Sequence, residues 1–496
     1  MKLKKAIYST ALAAVLFSAT SCEKWLDINH TPNNPETVKA SSLLSGIQVS
    51  AGYTLMSWDY LFNAGVYNQY ITQRYGNSQF KKTEKFETED FAYAYRNFFT
   101  GQLVEAQALK DNSEETSGYS FVSEIMQIFV WQNVVDTWGN VPYFEALDSK
   151  NITPKFDKAE DIYKDLLSRI DKAIDNYNSG YYNDDINKKV DFIYGGSFSD
   201  WGKFANSLKL KLMHRLSNVA DYYRNESLLD FVSNAEFIDK TAQISENIWE
   251  SKSTKKYPAD EYEGGQFFSN NVLPSRTLVN YMSSGNDPRL AVYFTKNNSD
   301  IYAGKLQGYF EEDENDKTGA FSAVNLNGMP KNIPLMSVWE INFDIAEVYL
   351  RASNNEKAKE YYEKAVLESL KYWGLSDASD ITGENGYAKW DNPDFEKGLE
   401  LISLQRWVSF FMTQHAEAFF ERNRTGYPQL SDITDITQLQ ENFPAGKFIQ
   451  TLAGPVLPKG VLPLSPIYPE TGVASLNPNC VQKSSMAEKI FWQKGN

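Results

Sequence analysis

Two stretches of the chain carry side chains suited to a ligand that is polar at its edges and apolar on its faces. One holds Tyr70, Gln73, Tyr75, Asn77 and Gln79; the other holds Trp249, Tyr257, Tyr262, Phe267 and Asn270. A sugar ring stacks its apolar face on Trp or Tyr and offers its hydroxyls to Asn and Gln. A peptide uses the same shelves together with backbone hydrogen bonds. Both groups lie outside the obvious apolar stripes of the predicted helices, so they are the candidate ligand-binding residues.

Catalytic signals are sparse. The sequence has no nucleophile elbow, no Gly-rich phosphate cradle and no Cys/His pair of the required kind. With 64 Asp and Glu residues, some carboxylate pair is inevitable, so spacing alone identifies no glycosidase dyad. His30, His214 and His415 are far apart and lack metal-ligand spacing. His214 and His415 fall on helical patterns among apolar neighbours and read as core histidines. The run Glu311-Glu312-Asp313-Glu314-Asn315-Asp316 lacks the alternating oxygen ligands of a calcium loop and reads as a solvated acidic turn. No cofactor or metal is expected.

The N-terminus carries a different chemistry. Lys2, Lys4 and Lys5 precede an apolar stretch from Ala6 to Phe17, and small residues Ala19-Thr20-Ser21 stand directly before Cys22. This is a secretory leader, residues 1–21, too short to cross a hydrocarbon layer of about 30 Å. Its end resembles a bacterial lipobox, which implies cleavage and acylation of Cys22. Each buried acyl methylene contributes roughly 0.8 kcal/mol, so two or more chains hold a folded body firmly to a membrane. Cys480 is the only other cysteine, so no disulfide framework is expected.

The 496 residues carry a formal charge of −15, and the leader contributes only positive charge to it. Beyond the leader the chain is more acidic still and shows no basic stripe, which disfavours nucleic acid as a partner. Aromatic residues make up 14% of the sequence, which argues for a packed protein rather than a disordered one.

Elements must position these residues, and most of them are helical. Helical periodicity is predicted over 41–74, 91–111, 118–138, 157–177, 199–221, 225–235, 338–352, 355–373 and 396–424. In 199–221, Trp201, Phe204, Leu208, Leu212, Leu216 and Val219 form one stripe behind a Ser199/Asp200 cap. Strand signals are short, at Val190–Tyr194 and Leu290–Thr295. Helices 338–352 and 355–373 read as an antiparallel pair turning at Asn354 and Asn355. Ala358 and Ala365 beside Tyr361 and Tyr362 allow close nesting of the kind found in tetratricopeptide repeats. The fold class is therefore mainly α, with helix pairs at about 41–235 and 338–425. An irregular half at about 236–335 and 374–395 would hold the ligand, and a proline-punctuated tail from Pro444 to Asn479 would wrap the surface. Gly139 and Pro142 read as the stop of the 118–138 helix around Asp136 and Trp138. Arg422, Arg424 and Gly426 read as the end of the last helix.

Several signatures occur together in one order: Ser21-Cys22-Glu23-Lys24-Trp25-Leu26-Asp27, Trp131 to Tyr143, Phe204 to Leu216, Asp287-Pro288-Arg289-Leu290, Arg422 to Pro428, and Leu464 to Pro469 ahead of Asn477. In this order they resemble the SusD/RagB-like family, in particular its SusD-like 2 branch, over essentially the whole of residues 22–496 as a single domain. The resemblance implies four tetratricopeptide-like helix pairs packed on an irregular binding half. It also implies a lipoprotein on the outer face of the outer membrane of a Gram-negative bacterium, with Glu23 and Asp27 resembling the surface-export signal. Its partner would be a SusC-like TonB-dependent barrel, on which it closes as a lid over an oligosaccharide or oligopeptide. The expectation is a non-enzymatic receptor. A secreted glycan-cleaving lipoprotein and a surface scaffold without a small ligand are the alternatives.

Overall fold

A computed structural model describes residues 40–219, 225–250, 256–261, 266–310 and 319–494. Cys22, His30, Tyr262, the acidic run 311–316 and the leader lie outside the described residues. Ten helices carry the fold as labelled here: α1 (Ala40–Leu55), α2 (Leu103–Asp111), α3 (Gly118–Trp138), α4 (Ala159–Asn178), α5 (Phe198–Arg215), α6 (Asn225–Asn234), α7 (Val338–Arg351), α8 (Asn355–Tyr372), α9 (Phe395–Ser409) and α10 (His415–Thr425). Neighbours in sequence pack as neighbours in space: α2 on α3, α3 on α4, α4 on α5 and α7 on α8. This is the mainly α, repeat-like architecture that the periodicity predicts.

The α7–α8 pair shows why. Ser337 starts α7 with a reciprocal capping box to Glu340, and Asn354 caps α8 by accepting from Lys357 N at 3.1 Å. Ala358 and Ala365 are fully buried, as nesting on α7 requires. The α4–α5 contact depends on Gly202. A Cβ there would come 2.4 Å from the Tyr177 ring, which is itself stacked on Phe121 at 5.3 Å.

Several boundaries differ from the periodicity. The first helix does not run to Arg74. It ends at Leu55, continues as a π-helical stretch Trp58–Ala64, and gives way to strand β1 (Ile71–Gln73). The 396–424 helix is two helices, because Met412 takes a left-handed backbone (φ 56°) and the chain turns between α9 and α10. The α5 helix ends at Arg215 and starts from a Ser197 cap, not Ser199 or Asp200. Val190–Tyr194 is not a strand. It wraps Asp191, whose Oδ1 accepts from Gln48 Nε2 at 2.8 Å and whose Oδ2 accepts from Gly196 N at 2.8 Å and Trp201 Nε1 at 2.9 Å. Those bonds satisfy the segment locally and leave it no sheet partner. Leu290–Thr295 is a short helix that becomes strand only at Phe294–Thr295.

The irregular half contains three small antiparallel sheets. Strand β1 pairs with β3 (Val272–Pro274), β2 (Ala242–Ile244) with β6 (Ile333–Met336), and β4 (Phe294–Thr295) with β5 (Ala323–Val324).

Behind this half, α5, α7, α9 and α10 meet around buried charge. Lys211 Nζ lies 2.7 Å from both Glu340 and Glu417. Arg215 reaches Asp136 at 3.0 Å and also pairs with Glu417 and Glu421. Its guanidinium lies 5.5 Å from the Phe420 ring and 5.1 Å from the Trp492 ring. Arg406 pairs with Asp344 at 2.9 Å and with Glu421. Arg424 donates to Glu347 at 2.8 Å and to Glu421 at 2.7 Å. All of these side chains are buried. The role of Arg424 is therefore charge pairing within the core rather than complementing the helix dipole.

Candidate functional site

The ladder between β1 and β3 joins the first candidate group to Phe267 and Asn270 of the second. Gln73 faces Val272 in register, Arg74 N donates to Asn271 O at 2.9 Å, and Asn77 Nδ2 donates to Asn270 O at 2.7 Å. The loop after β1 and the short helix Gln266–Asn271 before β3 thus form one continuous rim. Tyr75 and Asn77 are half-buried on it, while Gln79 and Asn270 are exposed. Beneath the rim lies an aromatic base. Trp58 stacks on Phe80 at 5.5 Å and meets Phe267 edge-on at 5.1 Å, and Phe62 meets Phe267 at 5.0 Å. Trp58 is half-buried. The sequence reading missed it because it lies inside what looked like an unbroken helix.

Three of the candidates have structural roles instead. Tyr70 is fully buried; its hydroxyl donates to Trp407 O and its ring stacks on Trp407 at 5.7 Å. Gln73 is buried and braces the rim from below, donating to Asn77 O and accepting from Phe80 N at 2.6 Å. Phe267 is the buried centre of the aromatic base. None of the three presents an accessible surface, so they shape the rim without facing outward.

Trp249 and Tyr257 form a second cluster. Their rings meet edge-on at 6.2 Å, Trp249 Nε1 donates to Lys331 O at 2.9 Å, and Lys331 Nζ sits 5.9 Å from the Tyr257 ring while pairing with Asp260. Trp249 is half-buried and Tyr257 is buried, so Trp249 is the member of this pair that keeps an accessible face.

Below the rim, Glu84 ties three segments together. Its Oε1 accepts from Thr72 Oγ1 at 2.7 Å and Gln73 N at 3.2 Å, and its Oε2 accepts from Gln307 Nε2 at 2.8 Å. Complete burial pushes its pKa up to about 7, against the lowering effect of those hydrogen bonds and of Lys305. Burial also raises Glu89 to about 7 and Asp59 to about 6. Asp59, Glu84 and Asp136 carry raised pKa values but are buried, so these carboxyls do not face a substrate cleft.

His214, Asp344 and Glu421 lie close enough together to resemble a metal-binding trio. The chemistry of the surroundings argues otherwise. Arg406 and Arg424 already neutralise these carboxylates, and a cation would have to enter beside two guanidinium groups. Burial, then the charge of Arg424, lowers His214 to about 4, so it is a neutral core histidine 3.2 Å from Asp344 and 3.0 Å from Glu347. His415 is lowered to about 4 by burial as well. Its Nδ1 meets Leu61 O at 2.8 Å and its Nε2 accepts from Met412 N at 2.9 Å. Both histidines have the core role their neighbours predict.

Residues 32–445 match the SusD-like 2 family model, described as starch-binding and associating with the outer membrane. No curated protein matches the chain. Among solved structures, a chitin-binding protein shares 21% identity with a TM-score of 0.71, covering 92% of this chain and 100% of its own. A chitin-binding SusD homologue from Flavobacterium johnsoniae shares 19% identity with a TM-score of 0.72, covering 91% of this chain and 97% of its own. A SusD homologue from Bacteroides ovatus shares 21% identity with a TM-score of 0.68, covering 91% and 98%. At these identities the likeness establishes the shared fold.

Proposed function

The chain belongs to the SusD-like 2 family, and from that membership we propose that it is a surface receptor that captures a neutral oligosaccharide and releases it unaltered. The observation that carries this reading is the rim built by β1 and β3. It brings Tyr75, Asn77 and Asn270 onto one rim beside an aromatic base that includes Trp58. Aromatic faces bind the apolar faces of sugar rings, and amides satisfy the hydroxyls around them. Two similar structures are of chitin-binding proteins, so a chito-oligosaccharide is the first ligand to try, with a malto-oligosaccharide beside it.

Capture is coupled to delivery in this proposal. Acylated Cys22 holds the receptor at the outer membrane, and a SusC-like barrel receives the ligand when the receptor closes on it. Among the described residues no helix is long and apolar enough to cross a membrane, which is compatible with attachment through lipid. Closure requires the ligand to prefer the closed state, because equal affinity for open and closed states shifts nothing.

The test is calorimetric titration of the mature lipoprotein in detergent with chitohexaose and maltohexaose, followed by mass spectrometry of the recovered sugar. Saturable binding, an unaltered sugar mass and weakening of about fivefold in Tyr75→Ala, from the loss of about 1 kcal/mol of stacking, are expected. Cleavage products, or affinity equal to the wild type in both the Tyr75→Ala and the Asn270→Ala variants, would overturn the assignment.

A further inference from the structure

Two of the sequence signatures, Trp131 to Tyr143 and Leu464 to Pro469, meet at the start of α4, where the Tyr468 hydroxyl donates to Asn140 O at 2.6 Å. Between them lies a cavity of about 520 Å³, walled by Trp138, Tyr468, Ile490 and Phe491. Lys483 lines this cavity and is half-buried. Its Nζ donates to Ser465 Oγ at 2.8 Å and to Pro466 O at 3.0 Å, and it lies 5.3 Å from the centre of the Tyr468 ring. Ser465 Oγ in turn donates to Glu488 O at 2.8 Å, which fixes the hydroxyl as an acceptor toward the lysine.

Those partners suit an amine better than an ammonium. A neutral amine has two N–H bonds, one for each acceptor, and keeps a lone pair; an ammonium carries a third N–H. Among the described residues Lys483 has no third acceptor and no carboxylate at ion-pair distance. Glu488 lines the same cavity, but its carboxylate accepts from Ser484 N and, at 2.6 Å, from Ser484 Oγ. Lys158, Glu160 and Lys489 complete the charged lining; all are exposed, and with Glu488 they balance in sign. Burial, opposed only by the charge of Glu488, lowers the Lys483 pKa to about 7. At pH 7 about half of this amine is unprotonated, against roughly one part in three thousand for a lysine at the ordinary 10.5.

A desolvated lysine amine is the nucleophile that forms Schiff bases with carbonyl compounds. We propose that Lys483 is a covalent capture site for a small polar aldehyde, of which the open-chain form of a short sugar is one example. The exposed charged side chains of the lining favour a ligand that carries hydroxyls over an apolar one. Nζ adds to the carbonyl carbon, and one of its protons passes to the carbonyl oxygen. The hydroxyl so formed leaves as water with the second Nζ proton, and a C=N bond remains. No further reactant is consumed, and hydrolysis reverses the step. The cavity shares no residue with the β1–β3 rim, so this assignment stands apart from the oligosaccharide reading.

The experiment treats the full-length lipoprotein in detergent with glyceraldehyde and cyanoborohydride, which reduces the imine to a stable secondary amine. Nα-acetyllysine in the same tube is the reference, and peptide mass spectrometry reads the labelling at Lys483. Its rate relative to the reference should be about tenfold or more at about pH 6.5. The ratio should then fall about tenfold for each pH unit above 7, because the reference goes on losing protons after Lys483 has lost its own. Hexanal should label Lys483 more slowly than glyceraldehyde does, and Lys483→Arg should lose the fast-labelling equivalent of the wild type. A ratio at or below one, or one that does not change with pH, overturns the proposal, and the wild-type profile decides this whether or not the variant folds. A fast equivalent that persists in Lys483→Arg places the reactivity on another group and overturns it as well. Faster labelling by hexanal overturns the polar class of ligand.

Discussion

Replacing Glu84 with Gln should make the protein more stable relative to wild type as pH rises, and the structure sets the size of the effect. Burial raises the carboxyl from 4.5 to about 7 in the folded state, so the folded protein holds a proton that the unfolded chain releases. The stability that this proton contributes is fully present below about pH 4.5 and is lost as pH rises through 7. A shift of that size corresponds to about 3 kcal/mol across the window. Gln keeps the acceptor facing Thr72 and Gln73 N and cannot ionise. The new amide nitrogen would face Gln307 Nε2, which also donates to Val66 O and Ile71 O, and that cost does not change with pH. Asp59 and Glu89 titrate in both proteins and cancel in the difference. Urea unfolding followed by tryptophan fluorescence at about pH 4.5, 6 and 8 measures that difference. It should move by about 3 kcal/mol in favour of the variant between the two ends of the range. A difference that does not change with pH would refute the reasoning, because the carboxyl would then titrate alike in folded and unfolded chains.

Two further substitutions probe the scaffold. Arg424→Met should lower stability by about 3–5 kcal/mol, since it leaves Glu347 and Glu421 short of a buried partner. Adding Glu347→Leu should restore part of the loss, and a double-mutant cycle in urea checks the coupling. Gly202→Ala should cost about 1–3 kcal/mol, because the Tyr177 ring that the new methyl would strike is wedged against Phe121. An unchanged thermal melt would show that the α4–α5 contact is looser than the geometry indicates.

The elements that could be read from sequence are those whose signals are local. The spacing of α3 and the Ala358/Ala365 stripe of α8 fix a helix and its buried face within a few turns, and the structure has both. Apolar periodicity failed where the chain changes course without a polar interruption. Met56-Ser57 and Phe410-Phe411-Met412 break helices while remaining buried, so no change of pattern marks the turn. Val190–Tyr194 has strand-forming residues, yet the carboxylate of Asp191 organises it as a wrapped turn.

The candidate site was legible to the same extent. Residue types pointed to the stretches around Tyr75 and Asn270, but their meeting depends on β1 pairing with a strand some two hundred residues away, at Val272–Pro274, and no local pattern encodes that. Which aromatic faces outward depends on the same pairing, so Tyr70 and Trp58 exchanged roles. The 199–221 stripe of Trp201, Phe204, Leu208 and Leu212 says nothing of where Lys211 and Arg215 go. Only the assembled helices reveal that Lys211 and Arg215 point into a core of carboxylates.

That core of opposed charges has a consequence for how the chain matures. Its cations come from α5, α9 and α10, and its anions from α3, α7 and α10, which are spread over most of the polypeptide. A chain that has acquired only its first two hundred and fifty residues would have Lys211 and Arg215 with one carboxylate, Asp136, of the four that neutralise them. Premature collapse of that half is therefore penalised until the last helix arrives to complete the set.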